Sequence, residues 1–258
     1  AAEVAKETSE IRQLGGAPLR RVRRLVGKGS WASGIVPTLG SMLSPLWAAV
    51  AVATSKAEEK PEETEGPPEK RRKGKGKGRV VMHSEPFIPV AAIDHSLRWL
   101  EAFMKRRVGT LCKIYTVDQH RKPPGIRITV DASPWGYGAV LAVMGRAIAF
   151  LAEPISEEDI ARFGIIIGDC RFQGLVETMV ILIAVRTWLP WWRNHRLAVA
   201  IRSDSKAALG ATEKLRSPSP SINAVVRELC LDLAEGLYDI DVLRHLPGKL
   251  NTWADALS

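Results

Sequence analysis

From Pro123 onward, short strand-like and helix-like stretches alternate, and this alternation constrains the fold more than any other feature of the sequence. Residues 125–130 alternate with a period of two, and residues 137–144 and 147–151 read as two further strands, which together predict an antiparallel meander. The pattern continues with a helix at about 172–188, a strand at 197–201, helices at 205–214 and 219–236, a strand at 240–245 and a helix opening near Asn251. The order βββαβααβα predicts an α/β fold, with a mixed five-stranded sheet and flanking helices, over residues 123–258.

The segment 1–55 is expected to be helical. Trp31 to Ser55 runs without a charge and is long enough to span a membrane. Pro37 and Pro45 interrupt it, however, and lipid offers no replacement for the hydrogen bonds that a proline removes. We therefore expect two short buried helices and no membrane contact, with a membrane-anchored protein as the alternative that solubility without detergent would exclude.

Residues 56–80 have no apolar periodicity, and an acidic half precedes a basic half that is spaced by glycines. Such composition predicts a disordered charged linker. In the following segment, 81–122, apolar side chains recur at helical spacing over residues 91–107, with Asp94 placed to cap the helix. This segment should form a connection helix and a lead-in to the C-terminal domain.

The charge of the chain is distributed unevenly. Residues 1–122 hold 23 Lys and Arg against 13 Asp and Glu, whereas residues 123–258 hold 14 against 15. The basic excess is therefore entirely N-terminal, which favours either a polyanionic partner or a solvated basic tail. Three widely spaced cysteines argue against both a disulfide framework and a zinc site, and predict an intracellular, cytoplasmic or nuclear setting.

Four acids are placed where the ends of strands and helices could bring them together. Asp131 ends the first strand, Glu177 lies in the long apolar helix, Asp204 follows the fourth strand, and Asp255 lies in the last helix. Each has an ordinary explanation: Asp131 could start a turn, Asp204 could cap a helix, and Asp255 could be a first-turn acid. Glu177 is the least ordinary, since a carboxylate among apolar neighbours is costly to bury without a partner.

Four stretches resemble the catalytic blocks of type 1 ribonuclease H domains, in particular those attached to reverse transcriptases of long-terminal-repeat-type retrotransposons. They are ITVDASPWGYGAVLA, ETMVILIAVRTW, IRSDSKAAL and RHLPGKLNTWADALS, and they occur in the family's order. The resemblance covers about residues 123–258. It implies a ribonuclease H-like fold and hydrolysis of the RNA strand of an RNA-DNA hybrid.

The resemblance also implies roles for individual residues. Asp131, Glu177, Asp204 and Asp255 fall on acids that bind two Mg²⁺ or Mn²⁺ ions, and hard cations of this kind prefer oxygen ligands. His245 falls on a loop histidine that assists proton transfer or product departure. Asn251 falls on a substrate-contacting asparagine, and Ser133 is a further candidate for contact with a strand.

Residues 1–122 resemble, more weakly, the thumb and connection regions of such a polyprotein, so its remainder is an expected partner beside the RNA-DNA hybrid. The Tyr-x-Asp-Asp polymerase signature is absent from the sequence, and no polymerase active site is expected. The main alternative to a nuclease is a retroelement relic that keeps the fold and binds nucleic acid without cutting it.

Overall fold

The computed structural model describes residues 1–58, 85–109, 125–192 and 197–258. Most of the predicted linker therefore lies outside the described residues, as do residues 81–84 and 110–122 of the predicted lead-in. The elements of the first two described stretches are α1 (Ala2–Gln13), β1 (Gly16–Pro18), α2 (Leu19–Ser33), α3 (Leu39–Glu58), β2 (Phe87–Pro89), a 3-10 turn (Val90–Ala92) and α4 (Asp94–Met104).

These elements share one hydrophobic core, whereas the sequence analysis predicted residues 1–55 and 81–122 as separate segments. The small antiparallel pair β1–β2 joins the two stretches. Asp94 does not cap α4 as predicted. It instead accepts hydrogen bonds from Arg12 of α1 at 3.0 Å and Arg98 at 2.6 Å.

The prediction of two helices within residues 31–55 was wrong at Pro45. The helical structure of this segment is interrupted once, between α2 and α3. Helix α3 continues through Pro45 to Glu58, three residues into the predicted linker. A proline inside a helix leaves the carbonyl four residues earlier without its donor. Here that carbonyl belongs to Ser41, and the buried amide of Asn223 donates to it at 3.4 Å.

The C-terminal stretch forms the predicted mixed five-stranded sheet with flanking helices. Its elements are β3 (Ile126–Ala132), β4 (Gly136–Val143), β5 (Arg146–Pro154), α5 (Glu157–Phe163), a 3-10 turn (Cys170–Phe172), α6 (Gln173–Trp188), a 3-10 turn (Leu189–Trp191), β6 (Ala198–Ser203), α7 (Lys206–Lys214), α8 (Pro220–Glu235), β7 (Asp239–His245), a 3-10 turn (Gly248–Leu250) and α9 (Thr252–Asp255). Helix α5 is the α-helix of this stretch that the sequence order missed.

The strands are arranged β5-β4-β3-β6-β7, with β3 at the centre. The first three form the antiparallel meander that their alternation predicts, while β6 runs parallel to both β3 and β7. Because β3 and β6 are parallel neighbours, their carboxyl ends lie at the same edge of the sheet. Residues that follow either strand are thus brought together there.

Helix α6 is the centre of the C-terminal core. It packs against β3, α7 and α8, and nine of its side chains are buried. The stretch Cys170–Trp191, which contains α6, is the one helical stretch of the described residues that is long and apolar enough to cross a membrane, and half of its most apolar window is buried inside the protein. Core helices of soluble proteins can be equally long and apolar. The absence of membrane contact therefore stays a prediction.

A cluster of opposite charges joins α6 to α8. Arg186 donates to both carboxylate oxygens of Asp232, at 2.8 and 2.9 Å, and to Glu228 at 3.1 Å. The fully buried Tyr238 donates its hydroxyl to Asp232 at 3.2 Å. We call these four residues the salt-bridge cluster.

Candidate active site

Asp131 lies near the end of the central strand β3, with both carboxylate oxygens hydrogen-bonded. The Asn251 amide donates to Oδ1 at 2.9 Å, and the Ser258 hydroxyl donates to Oδ2 at 2.8 Å. Asn251 is only 2% exposed and also donates to the Val130 carbonyl at 3.2 Å. Its amide therefore orients the carboxylate of Asp131, and the contact with substrate predicted for it stays a prediction.

Two further acids lie close to Asp131. Asp204 directly follows β6, and Asp255 is the last residue of α9, which packs against β3 and β4. Burial, followed by the charges of Asp204 and Asp255, raises the pKa of Asp131 above its ordinary value, although the hydrogen bonds from Ser258 and Asn251 work in the opposite direction. We call Asp131, Asp204 and Asp255 the carboxylate cluster.

The ordinary explanations for two of these acids do not apply. The residue that caps α7 is Ser205, whose hydroxyl accepts from the Ala208 amide at 3.2 Å, so Asp204 is not the cap. Asp131 lies within β3 and does not start the turn that follows it. In that turn, Ser133 accepts from the amides of Trp135 and Gly136, both at 3.2 Å.

Close packing holds α9 over the sheet. A Cβ atom on Gly138 of β4 would lie 2.2 Å from the Ala254 carbonyl oxygen and 2.7 Å from the Ser258 amide nitrogen. Only glycine fits at such a separation. The position of Asp255 and Ser258 beside Asp131 thus depends on the missing side chain at residue 138.

Glu177 is held at the same edge by residues that the sequence analysis did not select. The Gln173 amide bridges the Ala132 carbonyl at 2.6 Å and Glu177 Oε1 at 3.1 Å, and the Ser205 hydroxyl donates to Glu177 Oε2. Ala132 follows Asp131 and Ser205 follows Asp204, so these bonds tie Glu177 to chain neighbours of both aspartates. A signal for Gln173 was present, since it lies one helical turn before Glu177 on the same face.

His245 is the exposed last residue of β7, and its register partner is Ser203 of β6. It is therefore at the end of the predicted strand, whereas the resemblance implies a loop position. His245 still lies on the strand next to the one that leads into Asp204.

Ser133 donates to the Ser258 carbonyl at 2.7 Å, which gives it a role in the turn and in holding the chain after α9. Its contact with substrate stays a prediction.

Within the described residues, no group of three or more His, Cys, Asp and Glu side chains is arranged to hold a metal ion. Both oxygens of Asp131 and both oxygens of Glu177 accept hydrogen bonds from protein donors. The donor chemistry nevertheless fits a hard divalent cation. None of the four acids forms an ion pair with a base of the described residues.

No protein-family model and no curated protein matches the sequence. Similar solved structures include LC11-RNase H1 isolated from compost by a metagenomic approach, with 16% identity and a TM-score of 0.40 over 52% of this chain and 93% of that chain. RNase H1 from the halophilic archaeon Halobacterium salinarum NRC-1 is similar with 16% identity and a TM-score of 0.37 over 51% and 92% of the two chains. A foamy viral protease-reverse transcriptase dRH in complex with ds DNA aligns with 95% of this chain and 35% of its own, with 12% identity and a TM-score of 0.29. Similarity at this level assigns no function, which has to come from the site itself.

Proposed function

We propose that this protein is a metal-dependent endonuclease of the ribonuclease H type, which hydrolyses the RNA strand of RNA-DNA hybrids. The observation that carries the proposal is the carboxylate cluster, where burial of Asp131, together with the nearby charges of Asp204 and Asp255, raises the pKa of Asp131. Gathering like charges at one sheet edge costs free energy, and perturbed acids of this kind concentrate at functional sites. The four motifs that resemble the family's catalytic blocks place the same acids in the same order.

Asp131, Glu177, Asp204 and Asp255 are the residues that would hold two Mg²⁺ or Mn²⁺ ions. Such ions, when bound, activate the attacking water and stabilise the departing oxygen of the phosphodiester. Each carboxylate oxygen has two lone pairs and can bind an ion while it accepts a hydrogen bond. Asn251 and Ser258 thus keep the Asp131 carboxylate oriented, and Gln173 and Ser205 do the same for Glu177.

Other residues of this chain would position the substrate and move protons. His245 is exposed at the end of β7, and its imidazole can donate or accept a proton, which suits assistance to the leaving group. Selection of RNA over DNA would come from contacts with 2′-hydroxyl groups, for which Glu177 and the backbone around it are the candidates. The basic excess of residues 1–122 supplies the attraction for a polyanion that the C-terminal stretch lacks.

The motif resemblance extends the proposal to a setting, a retroelement reverse transcriptase polyprotein of the long-terminal-repeat type in the cytoplasm or nucleus. A second function, a non-catalytic relic that binds nucleic acid, is favoured by one observation: no ready-formed metal site exists among the described residues. The two functions differ in whether the protein cuts a hybrid.

The test is cleavage of an end-labelled RNA strand in a hybrid, with Mg²⁺ or Mn²⁺ and with EDTA as the blank. Wild-type protein should cut the RNA of the hybrid and leave duplex DNA intact. Asp131→Asn should lose this activity, while Glu153→Gln, an exposed acid changed in the same way on β5, should keep it. A metal concentration of 100 times the Kd should stabilise the wild type by about 2.7 kcal/mol and so raise its melting temperature. The melting temperature of Asp131→Asn should not rise.

A folded wild-type protein that shows no cleavage in either metal would reject the enzymatic function and leave the relic. Cleavage retained in Asp131→Asn would reject the assignment of the site.

A further inference from the structure

Lysines are scarce in the C-terminal stretch, and two of them lie beside the candidate active site. Residues 125–258 contain three lysines, which are Lys206, Lys214 and Lys249. Lys206 begins helix α7 and follows Asp204 by two residues. Lys249 lies in the 3-10 turn between β7 and α9. The third, Lys214, ends α7, so it lies about 12 Å from Lys206 along the helix axis.

Contacts on both sides of Lys249 fix its backbone beside two of the acids. Its predecessor, Gly248, approaches Asp204 so closely that a Cβ atom there would lie 3.2 Å from the carboxylate oxygen Oδ2. Two residues after Lys249, the Asn251 side chain donates to Asp131 at 2.9 Å. The backbone amide of Asn251 donates to the Gly248 carbonyl, also at 2.9 Å, and closes the turn. Lys249 therefore lies between a residue that packs against Asp204 and one that binds Asp131.

Lys206 is held beside Asp204 and Glu177. It directly follows Ser205, whose hydroxyl donates to Glu177. The N-terminus of a helix carries a partial positive charge, so it favours an acid and disfavours a lysine. The first turn of α7 nevertheless begins with Lys206 and contains no acid. The stability of α7 therefore does not account for a cation at this position.

Both lysines are exposed, and neither forms an ion pair with a carboxylate of the described residues. Four acids at one sheet edge repel a polyanion, and residues 123–258 hold 14 Lys and Arg against 15 Asp and Glu. A nucleic-acid strand that approaches this edge therefore needs protein cations next to the acids, in addition to bound metal ions. Lys206 and Lys249 are in position to supply them.

We infer that Lys206 and Lys249 bind phosphate groups of the cleaved RNA strand next to the phosphodiester that is cut. A lysine ammonium is a compact charge on a flexible stem, which suits a phosphate that has to be held without recognition of a base. Contacts of this kind fix the register of a strand and carry no sequence information. The inference rests on the proposed function, because it concerns the strand that the four acids would cut.

The alternative is that the two lysines act only through their general charge, by reducing the repulsion between the acids and the whole substrate. Removing any two exposed cations nearby would then have a similar effect, and no single phosphate would matter more than another. A direct contact, in contrast, involves one phosphate and disappears when that phosphate is made neutral. The effect of each phosphate therefore distinguishes a contact from a general field.

The first measurement is the affinity of the full chain for a labelled RNA-DNA hybrid, by fluorescence anisotropy in EDTA at several salt concentrations. The lysine variant combines Lys206→Gln with Lys249→Gln. Its matched control combines Lys214→Gln with Arg216→Gln, which removes two exposed cations at the far end of α7. Circular dichroism and thermal melting establish that both variants are folded.

The lysine variant should bind the hybrid about 10-fold more weakly at low salt. The slope of log K against log salt should decrease in magnitude by about 0.9 for each phosphate contact that is lost. In Mg²⁺, the same variant should cleave with a raised KM and a retained kcat, since these contacts hold the substrate and do not take part in the reaction. The control variant should match wild type in affinity and slope.

The second measurement identifies the phosphates. Each hybrid of a series carries one neutral methylphosphonate in the RNA strand beside a 2′-deoxy sugar, and its reference carries the deoxy sugar alone. The products of cleavage are separated by length, which gives the distance from the neutral position to each cut. Wild type should lose cleavage at the distances that the lysines contact, whereas the lysine variant should show no further loss there, as a double-mutant cycle requires for two groups in contact.

An unchanged affinity and salt slope in the lysine variant would overturn the inference. An equal loss in the control variant would do the same, because it would reduce the effect to total charge, and so would a phosphonate effect that is equal in wild type and the lysine variant. Hybrid binding in EDTA does not depend on cleavage. A protein that binds through the two lysines and cuts nothing would therefore reject the nuclease and keep the lysine contacts, whereas active protein with unaffected binding would do the reverse.

Discussion

Helix α6 takes part in two polar clusters of opposite character. Its last turn supplies Arg186 to the salt-bridge cluster, where the positive guanidinium meets Asp232 and Glu228. Its first half supplies Glu177 to the edge that holds the carboxylate cluster, where like charges meet. The first arrangement stabilises the fold, whereas the second costs stability unless something binds. One helix thus carries polar residues that stabilise the fold at one end and polar residues that are suited to binding at the other.

The largest expected effect on stability lies in the salt-bridge cluster. Asp232→Ala would leave Arg186 and the buried Tyr238 hydroxyl without their partner, and breaking a fully buried pair costs about 3–5 kcal/mol. Because the Arg186 side chain is 40% exposed, we expect water to reduce the loss to about 2–3 kcal/mol of unfolding free energy. Urea denaturation measures it, and Glu213→Ala, an exposed acid on α7, should change stability by less than about 0.5 kcal/mol. Equal losses in the two variants would remove the distinction between the clusters.

An intermediate effect is expected where the second cluster is held in position. Gln173→Ala removes the donor that joins Glu177 to the Ala132 carbonyl, and the loss of such an orienting group costs about 10-fold to 100-fold in metal affinity or activity. The Mg²⁺ activation curve of hybrid cleavage should shift to higher concentration. Thr187→Ala, which removes a hydroxyl near the other end of α6, is the control. A reduced rate with an unchanged activation curve would contradict a positioning role.

The smallest effect, and the one of opposite sign, concerns the carboxylate cluster itself. The pKa of Asp131 is raised in the folded protein, so the stability that its protonation provides is complete below its ordinary pKa of about 3.9 and is lost as the pH rises through the higher folded value. In EDTA at neutral pH, Asp131→Asn should therefore melt at a higher temperature than wild type. This gain should disappear near pH 3. A variant that is less stable at neutral pH would show that the hydrogen bonds from Asn251 and Ser258 outweigh the cost of burial and the repulsion by Asp204 and Asp255.

Much of the sheet could be predicted because its signals are local. The alternation of residues 125–130 and the apolar run of α6 predicted their elements directly, and parallel neighbours then bring Asp131 and Asp204 to one edge. Helix α5 was missed because it has only seven residues, although Ser156 and Gly164 mark its two ends. The uninterrupted α3 could not be predicted, because the donor that compensates for Pro45 is Asn223, 182 residues beyond the carbonyl that it serves.

The sequence analysis selected the four acids but missed most of the residues that hydrogen-bond to them. Asp131, Asp204 and Asp255 occur in the order of the motifs that contain them. Ser205 and Ser258, by contrast, look like ordinary polar residues, one before a helix and the other after a helix. Their role depends on which carboxylate the fold brings to them. His245 ends the predicted strand 240–245, as it ends β7, whereas the resemblance implies a loop histidine at this position.

The close approach at Gly138 limits how this sequence can change over time. Strand β4 otherwise consists of Tyr137 and small or aliphatic residues, and a drift from glycine to alanine there would look harmless in the strand pattern. The added methyl group would nevertheless collide with the backbone of α9 at 2.2 Å and displace Asp255. Mutation can therefore change the apolar residues on both sides of position 138, whereas that position itself admits a single amino acid. A substitution there that looks neutral could preserve the fold and still destroy the site.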